Sequence, residues 1–318
     1  MEFLEIMKPG LLTTIQDLGR REYQIYGVSA SGAMDPLSLR LANILVGNKE
    51  GEAGLEITML GPRIKFMADG LIAITGADLS PKLNGETVPL WKTVRVSHGD
   101  ILDFSSIKYG CRAYVAMAGG IDVPTVMGSK STFLRGGYGG LDGRKLQKGD
   151  VLSIGEAKTK TSTLARKLPP SYIPDYQEDR KVRVILGPQK DAFTQEAIDL
   201  FLSAPYRIST NSDRMGYRLE GESLTHVNGP DIFSDCITAG SIQVPGNGQP
   251  IVLMADCQVT GGYTKIGVVI GVDLPYLAQK KPGDFVYFEE IAVTEAQKLW
   301  KEQEKLLTLM NTVNYACM

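Results

Sequence analysis

Four short segments concentrate side chains able to hold an anion or orient a small polar molecule. In ADCQVTGGY at 255–263, an apolar strand IVLMA ends on Asp256, Gln258, Thr260 and Tyr263, and Gly261 and Gly262 permit close approach of a ligand to the backbone. In NSDRMGYRLEG at 211–221, Arg214 and Arg218 stand beside glycines, which would let guanidinium forks meet a planar anion in bidentate fashion. An arginine bonding loop carbonyls explains the same spacing equally well. TTIQDLGR at 13–20 sets Gln16, Asp17 and Arg20 around a glycine, and GSKST at 128–132 offers Ser129 and Lys130 with neighbouring hydroxyls and amides. These two segments read as substrate- or subunit-facing polar groups, or as a solvated turn and a surface loop.

Several familiar catalytic devices are absent. GSKST lacks the Gly-Lys pair with which a P-loop wraps phosphate. Neither H-E-x-x-H nor a G-x-S-x-G elbow occurs, and the only histidines, His98 and His226, lie in turn-like contexts that do not suit a Ser-His-Asp triad. Cys111, Cys236, Cys257 and Cys317 are widely separated, so neither a zinc site nor a disulfide framework is expected. Cys257 sits inside the most site-like segment but has no histidine neighbour to activate it, and reads as a packing thiol.

The elements that must position these residues are short and β-rich. Strand-like runs occur at 71–75, 94–97, 112–117, 182–186, 251–255 and 266–272. Three copies of a Gly-Asp turn followed by a strand, HGDILDF at 98–104, KGDVLSI at 148–154 and PGDFVYF at 282–288, punctuate the chain as a barrel would. Each half also runs through its signals in the same order, SGAMD before IAITGAD and SDRMG before IVLMADC, which favours a duplicated β-barrel unit. Helices are expected after the Asp35-Pro36 cap, over 191–202, and at the C-terminus behind a Thr294/Gln297 capping box.

Residues 156–180 are polar, contain three prolines, lack periodicity and read as an interdomain connection. The 318 residues suffice for two domains, with 43% hydrophobic and 22% charged residues as in a packed globular chain. No apolar run is long enough to span a bilayer, and the acidic N-terminus does not resemble a secretory signal. The expected location is the cytoplasm, without membrane association. A net charge of −2 with dispersed lysines and arginines gives no footprint for nucleic acid.

Taken in order, TTIQDLGR, SGAMD, LANILVGN, RAYVAMAGGI, GSKST, SDRMGYRLEG, GSIQVPGNGQPIVLMAD and TGGY resemble the biotin-dependent carboxyltransferase-like family. That family contains KipA, the PxpC proteins of bacterial 5-oxoprolinase and the second half of the urea carboxylase carboxyltransferase domain, and the likeness runs from residue 4 to 288. It implies a mainly β chain of two tandem cyclophilin-like β-barrel domains with a few short helices. The boundaries would be an N-terminal barrel at 1–157, a linker at 158–180 and a C-terminal barrel with its helix at 181–318.

The resemblance further implies a PxpB/KipI-like partner subunit and a PxpA-like subunit. With them the chain would hydrolyse 5-oxo-L-proline to L-glutamate at the expense of ATP, which the complex uses and this chain need not bind. Such coupling is expected to phosphorylate the amide oxygen and so make the lactam carbon electrophilic. Arg214, Gln258, Thr260 and Tyr263 would then form the catalytic set, with Gln16, Asp17, Arg20, Ser129 and Lys130 binding substrate. Biotin use is not expected, since no M-K-M attachment sequence is present. The alternatives are a KipA-like regulator that antagonises a KipI-like kinase inhibitor, and a carboxyltransferase acting on a urea-like amide. Glu22, Ser29 and Val259 depart from the family pattern and bear on substrate assignment more than on fold.

Overall fold

The computed structural model describes residues 1–157 and 165–312. Residues 158–164 of the expected linker, and Cys317, lie outside the described residues. Contacts group Met1–Arg20, Ser31–Gln177 and the chain from Leu306 into one compact unit, and Arg21–Ala30 with Glu178–Lys305 into a second. The chain is mainly β, in agreement with the sequence reading.

In the first unit a seven-stranded and a five-stranded sheet enclose one core, in which Phe3, Ile15, Leu55, Ile64, Phe66, Ile74, Val115 and Leu152 are buried. Phe3 and Phe66 meet edge to face at 5.4 Å. The helix Pro36–Leu45 covers the other face of the five-stranded sheet, where Ala42 and Leu45 pack on Leu71, Ala73 and Ala116. Strands Gly70–Asp78 and Tyr109–Met117 are therefore buried on both faces, and that is why they read as continuous apolar runs without alternation. The helix starts as expected: Asp35 accepts from the Ser38 amide at 2.9 Å, with Pro36 in the first turn.

Residues 165–177 form a strap docked on this unit. Leu168 donates its amide to Trp91 O at 2.9 Å, Arg166 reaches Ile44 O, and the Tyr176 hydroxyl donates to Asp35 at 2.7 Å. Its prolines remove helix and ladder donors but leave side chains free to bury, which composition alone does not reveal.

In the second unit an eight-stranded sheet comes close to closing on itself. Phe285–Val286 pairs with Tyr206–Ile208 at one edge, while Phe288–Glu290 pairs in parallel with Val182–Leu186 at the other, so one continuous segment occupies both ends. A separate two-stranded ribbon joins Asp231–Cys236 to Thr260–Tyr263. The helix Gln195–Ser203 begins later than expected, because 190–192 form a 3-10 turn and Thr194 supplies the cap. Its Phe201 stacks on Phe288 at 4.6 Å. The C-terminal helix Val293–Thr312 starts one residue before Thr294, which places that residue within the first turn rather than at the cap.

All three Gly-Asp turns share one construction. Gly99, Gly149 and Gly283 have φ near +90°, and the aspartate after each accepts the amide three residues before it: Ser97 to Asp100 at 2.8 Å, Gln147 to Asp150 at 2.7 Å, Lys281 to Asp284 at 2.9 Å. Among the described residues no helix is long and apolar enough to cross a membrane.

Asp273 is fully buried and accepts from Arg180 at 3.0 Å, from the Arg183 guanidinium at 2.6 Å and from the Arg183 amide at 2.8 Å. Burial raises its carboxyl, but the Arg183 hydrogen bonds and both guanidinium charges outweigh this and hold it below the ordinary carboxylate range. A depressed folded value contributes stability above the unfolded pKa of about 3.9 and loses it as pH falls through the folded value. Urea midpoints of wild type and Asp273→Asn should therefore differ at neutral pH and converge as pH is lowered below about 4. Phe288→Ala, which opens the aromatic seam at the sheet closure, should cost about 3–5 kcal/mol in the same measurement.

Candidate functional site

The ADCQVTGGY segment lies in the second unit and turns out of strand Ile251–Leu253 into the ribbon. Its first member is not open to ligand. Arg214 donates Nε and Nη2 to the two oxygens of Asp256 at 2.9 and 3.0 Å, and both side chains are 5% exposed. The Asp256 amide also donates to Arg214 O at 2.8 Å, so a bidentate clamp joins loop 213–216 to loop 254–257. The fork that the sequence offers to an external anion already holds an internal one.

Gln258, Thr260 and Tyr263 are exposed, and their side chains bond to no described residue. Cys257 is buried; desolvation, then the neighbouring Asp256 charge, push its thiol up to about 11, so it is no thiolate at neutral pH. Ser29, from the segment Arg21–Ala30, donates to Cys257 O at 2.8 Å and fixes the loop from the other side.

Beneath the ribbon lies a cluster that sequence reasoning missed. Lys265, 5% exposed, donates Nζ to Asp235 Oδ2 at 2.5 Å and to Cys236 O at 3.0 Å. Gln189 reaches the same Asp235 oxygen at 3.3 Å, and Gln243, cross-strand partner of Lys265, donates to Tyr263 O at 3.4 Å. Asp235 stands opposite Gly261 in the ribbon, where a Cβ would strike Ile237 and come within 2.5 Å of Gln243 Nε2. The available signal was a lysine immediately before the apolar run at 266–272, and sequence reasoning did not single it out.

In the first unit the structure brings Gln16, Asp17, Arg20, Ser129 and Lys130 together. The Asp17 carboxylate accepts from the Gly19 amide (2.7 Å), the Ser129 hydroxyl (2.6 Å), the Ser131 hydroxyl (2.5 Å) and the Lys130 amide (2.6 Å). Four donors around one carboxylate tie TTIQDLGR to GSKST across more than 100 residues of sequence. The Lys130 ammonium is turned away to Ile121 O at 2.8 Å. Arg20 donates to Ser131 O and lies 5.0 Å from the Tyr138 ring. Gln16 donates to Thr14 Oγ1 and Thr132 O, leaving its buried Oε1 without a partner. Ser131, Thr132 and the glycine-rich turn 136–143, whose Gly139 leaves no room for a Cβ beside Ser131 and Arg20, were not singled out by the sequence. GSKST thus spends its amides and hydroxyls internally, on Asp17, Ile15, Val126 and Ser129, and does not form a phosphate cradle, so no nucleotide step is assigned to it.

Fold and clusters together define a mainly β protein that displays polar, glycine-flanked loops at its strand ends. A family model for the carboxyltransferase domain, subdomain A and B, matches residues 26–290, and the chain belongs to that family. It is 38% identical over 302 residues to the C subunit of the 5-oxoprolinase of Escherichia coli K12, covering 95% of this chain and 96% of that protein. The corresponding 5-oxoprolinase C subunit of Haemophilus influenzae is 36% identical over 301 residues, covering 95% of each. The crystal structure of Kluyveromyces lactis urea amidolyase superimposes with a TM-score of 0.88 at 32% identity, over 99% of this chain but only 20% of that one.

Removing one member of the buried clamp leaves an uncompensated charge. Arg214→Met should cost about 3–5 kcal/mol of stability, and the double variant Arg214→Met/Asp256→Leu should recover most of it, read as urea unfolding of this chain. A single-variant loss that the double variant does not relieve would refute the clamp.

Proposed function

We propose that this chain is the C subunit of an ATP-dependent 5-oxoprolinase complex that hydrolyses 5-oxo-L-proline to L-glutamate. The observation that carries the reading is the two-way full-length match to two proteins of that name, whereas the chain corresponds to only a fifth of a urea amidolyase. The net reaction breaks the ring C–N bond, places the oxygen of water on the carbonyl carbon and a proton on nitrogen. Amide resonance opposes it, so the complex draws on ATP; the GSKST segment does not fit a nucleotide cradle, and the partner subunits are assigned that task.

On this reading Gln258, Thr260 and Tyr263 face the substrate, because they are exposed and uncommitted at a glycine-flanked turn. Arg214 acts through Asp256 to hold the loop that presents them. Gln16, Asp17, Arg20 and Ser129, all buried, form with Lys130 a second polar cluster in the first unit, shaped by the Asp17 hub. The partners are a PxpB/KipI-like and a PxpA-like subunit, and biotin is not required.

Co-expression with both partners, followed by incubation with 5-oxo-L-proline, should release glutamate only when ATP and every subunit are present. A complete, ATP-supplied mixture that releases none would turn the assignment to a KipA-like regulatory role.

A further inference from the structure

We infer that Lys265 is the residue that binds the substrate carboxylate, with Asp235 as an exchangeable counterion that the ligand displaces. The inference rests on the 5-oxoprolinase reading and deepens it, since 5-oxoproline carries a carboxylate at neutral pH and its binding site must supply a positive partner.

Two cations near the TGGY turn are buried, and their counterions differ. Arg214 is gripped by an aspartate as buried as itself, through two parallel bonds, so a ligand would have to displace a rigid clamp. Lys265 is equally buried, but its acid partner is 46% exposed and rides on a two-stranded ribbon outside the main sheet. An ammonium has three donors, and among the described residues two partners, Asp235 Oδ2 and Cys236 O, receive from this one. Asp235 already meets water and can turn its carboxylate outward, and an incoming carboxylate then takes over the pairing that the buried ammonium requires. The ammonium that remains behind still donates to Cys236 O, the next residue along the same strand.

The surroundings suit a small lactam acid. Gln189 bonds both Asp235 and the Lys265 backbone amide, and Gln243 is the cross-strand partner of Lys265, so two side-chain amides lie close to the pair. The uncommitted side chains of Thr260 and Tyr263 belong to the same ribbon strand. Lys265 also holds the Asp235 carboxyl below its usual range, so the counterion is charged throughout the neutral region and competes with a ligand as one anion with another.

The test uses the co-expressed complex, steady-state glutamate release and 2-pyrrolidone, the same lactam without its carboxylate, as a competitive inhibitor. Lys265→Met should raise KM for 5-oxoproline roughly tenfold to hundredfold, as loss of a charge-assisted contact does, while Ki for 2-pyrrolidone changes by less than about threefold. Asp235→Asn, a substitution at a half-exposed site, should lower KM several-fold by removing the competitor. An unchanged KM in Lys265→Met, an equal rise of KM and Ki, or an unchanged or raised KM in Asp235→Asn would each overturn the inference and leave the oxoprolinase reading standing. A wild-type complex that releases no glutamate would instead remove that reading, and the inference with it.

Discussion

The structure around the candidate site depends on one constraint, the near-closure of the second unit's sheet by a single continuous segment. Because residues 285–290 supply both terminal strands, the eight strands have little freedom to slide or splay, and their register is fixed from both ends. Strand Lys265–Val269 is an interior member of that sheet, between Ser241–Gln243 and Val182–Leu186, so the position and burial of Lys265 follow from the closure. Strands Asp231–Cys236 and Thr260–Tyr263 stand outside that sheet. They pair with each other instead, and a two-stranded ribbon is the least constrained form a β segment can take. Rigid and adaptable parts are thereby set side by side.

The buried carboxylates show how the molecule uses charge. Asp17 is surrounded by backbone and hydroxyl donors, Asp35 and Glu56 accept from Tyr176 and Tyr114, and Asp256 is gripped by Arg214. In each case a carboxylate taken out of water is matched by donors from residues distant in sequence, so the interaction fixes loop geometry more than it adds net stability. Asp235 differs because its partner is buried and it is not. That asymmetry separates an ion pair which can open from one which cannot, and it could be seen only once exposure was known for both members.

Much of the architecture was legible in the sequence wherever local chemistry decides the outcome. The Gly-Asp turns bonded as their residue types require, and Asp35-Pro36 started a helix as caps do. What escaped was decided by tertiary context. A proline-rich polar stretch docked through Leu168 and Tyr176, buried positions with no periodicity to announce them. The helix expected from 191 lost its first turn to a 3-10 segment. Arg214 looked available because nothing in a linear sequence shows that Asp256, 42 residues on, sits against it. Lys265 was not singled out either: lysines are rarely buried, and nothing local in the sequence shows that this one is only 5% exposed against Asp235.

The same reasoning bears on how a shared fold serves different amides. The chain matches a segment of a urea amidolyase nearly as well as it matches full-length 5-oxoprolinase subunits, so the scaffold itself does not choose the substrate. Urea is neutral and 5-oxoproline is an anion, so charge, beside size and shape, is one difference by which a site can tell them apart. A fixed guanidinium–carboxylate clamp presents the same face to both. A buried ammonium whose counterion can leave attracts an acid more strongly than a neutral amide. Under the inferred role of Lys265, recognition of the acid would fall to the ribbon and the lysine beneath it rather than to the arginine loop that the sequence motif brings to notice.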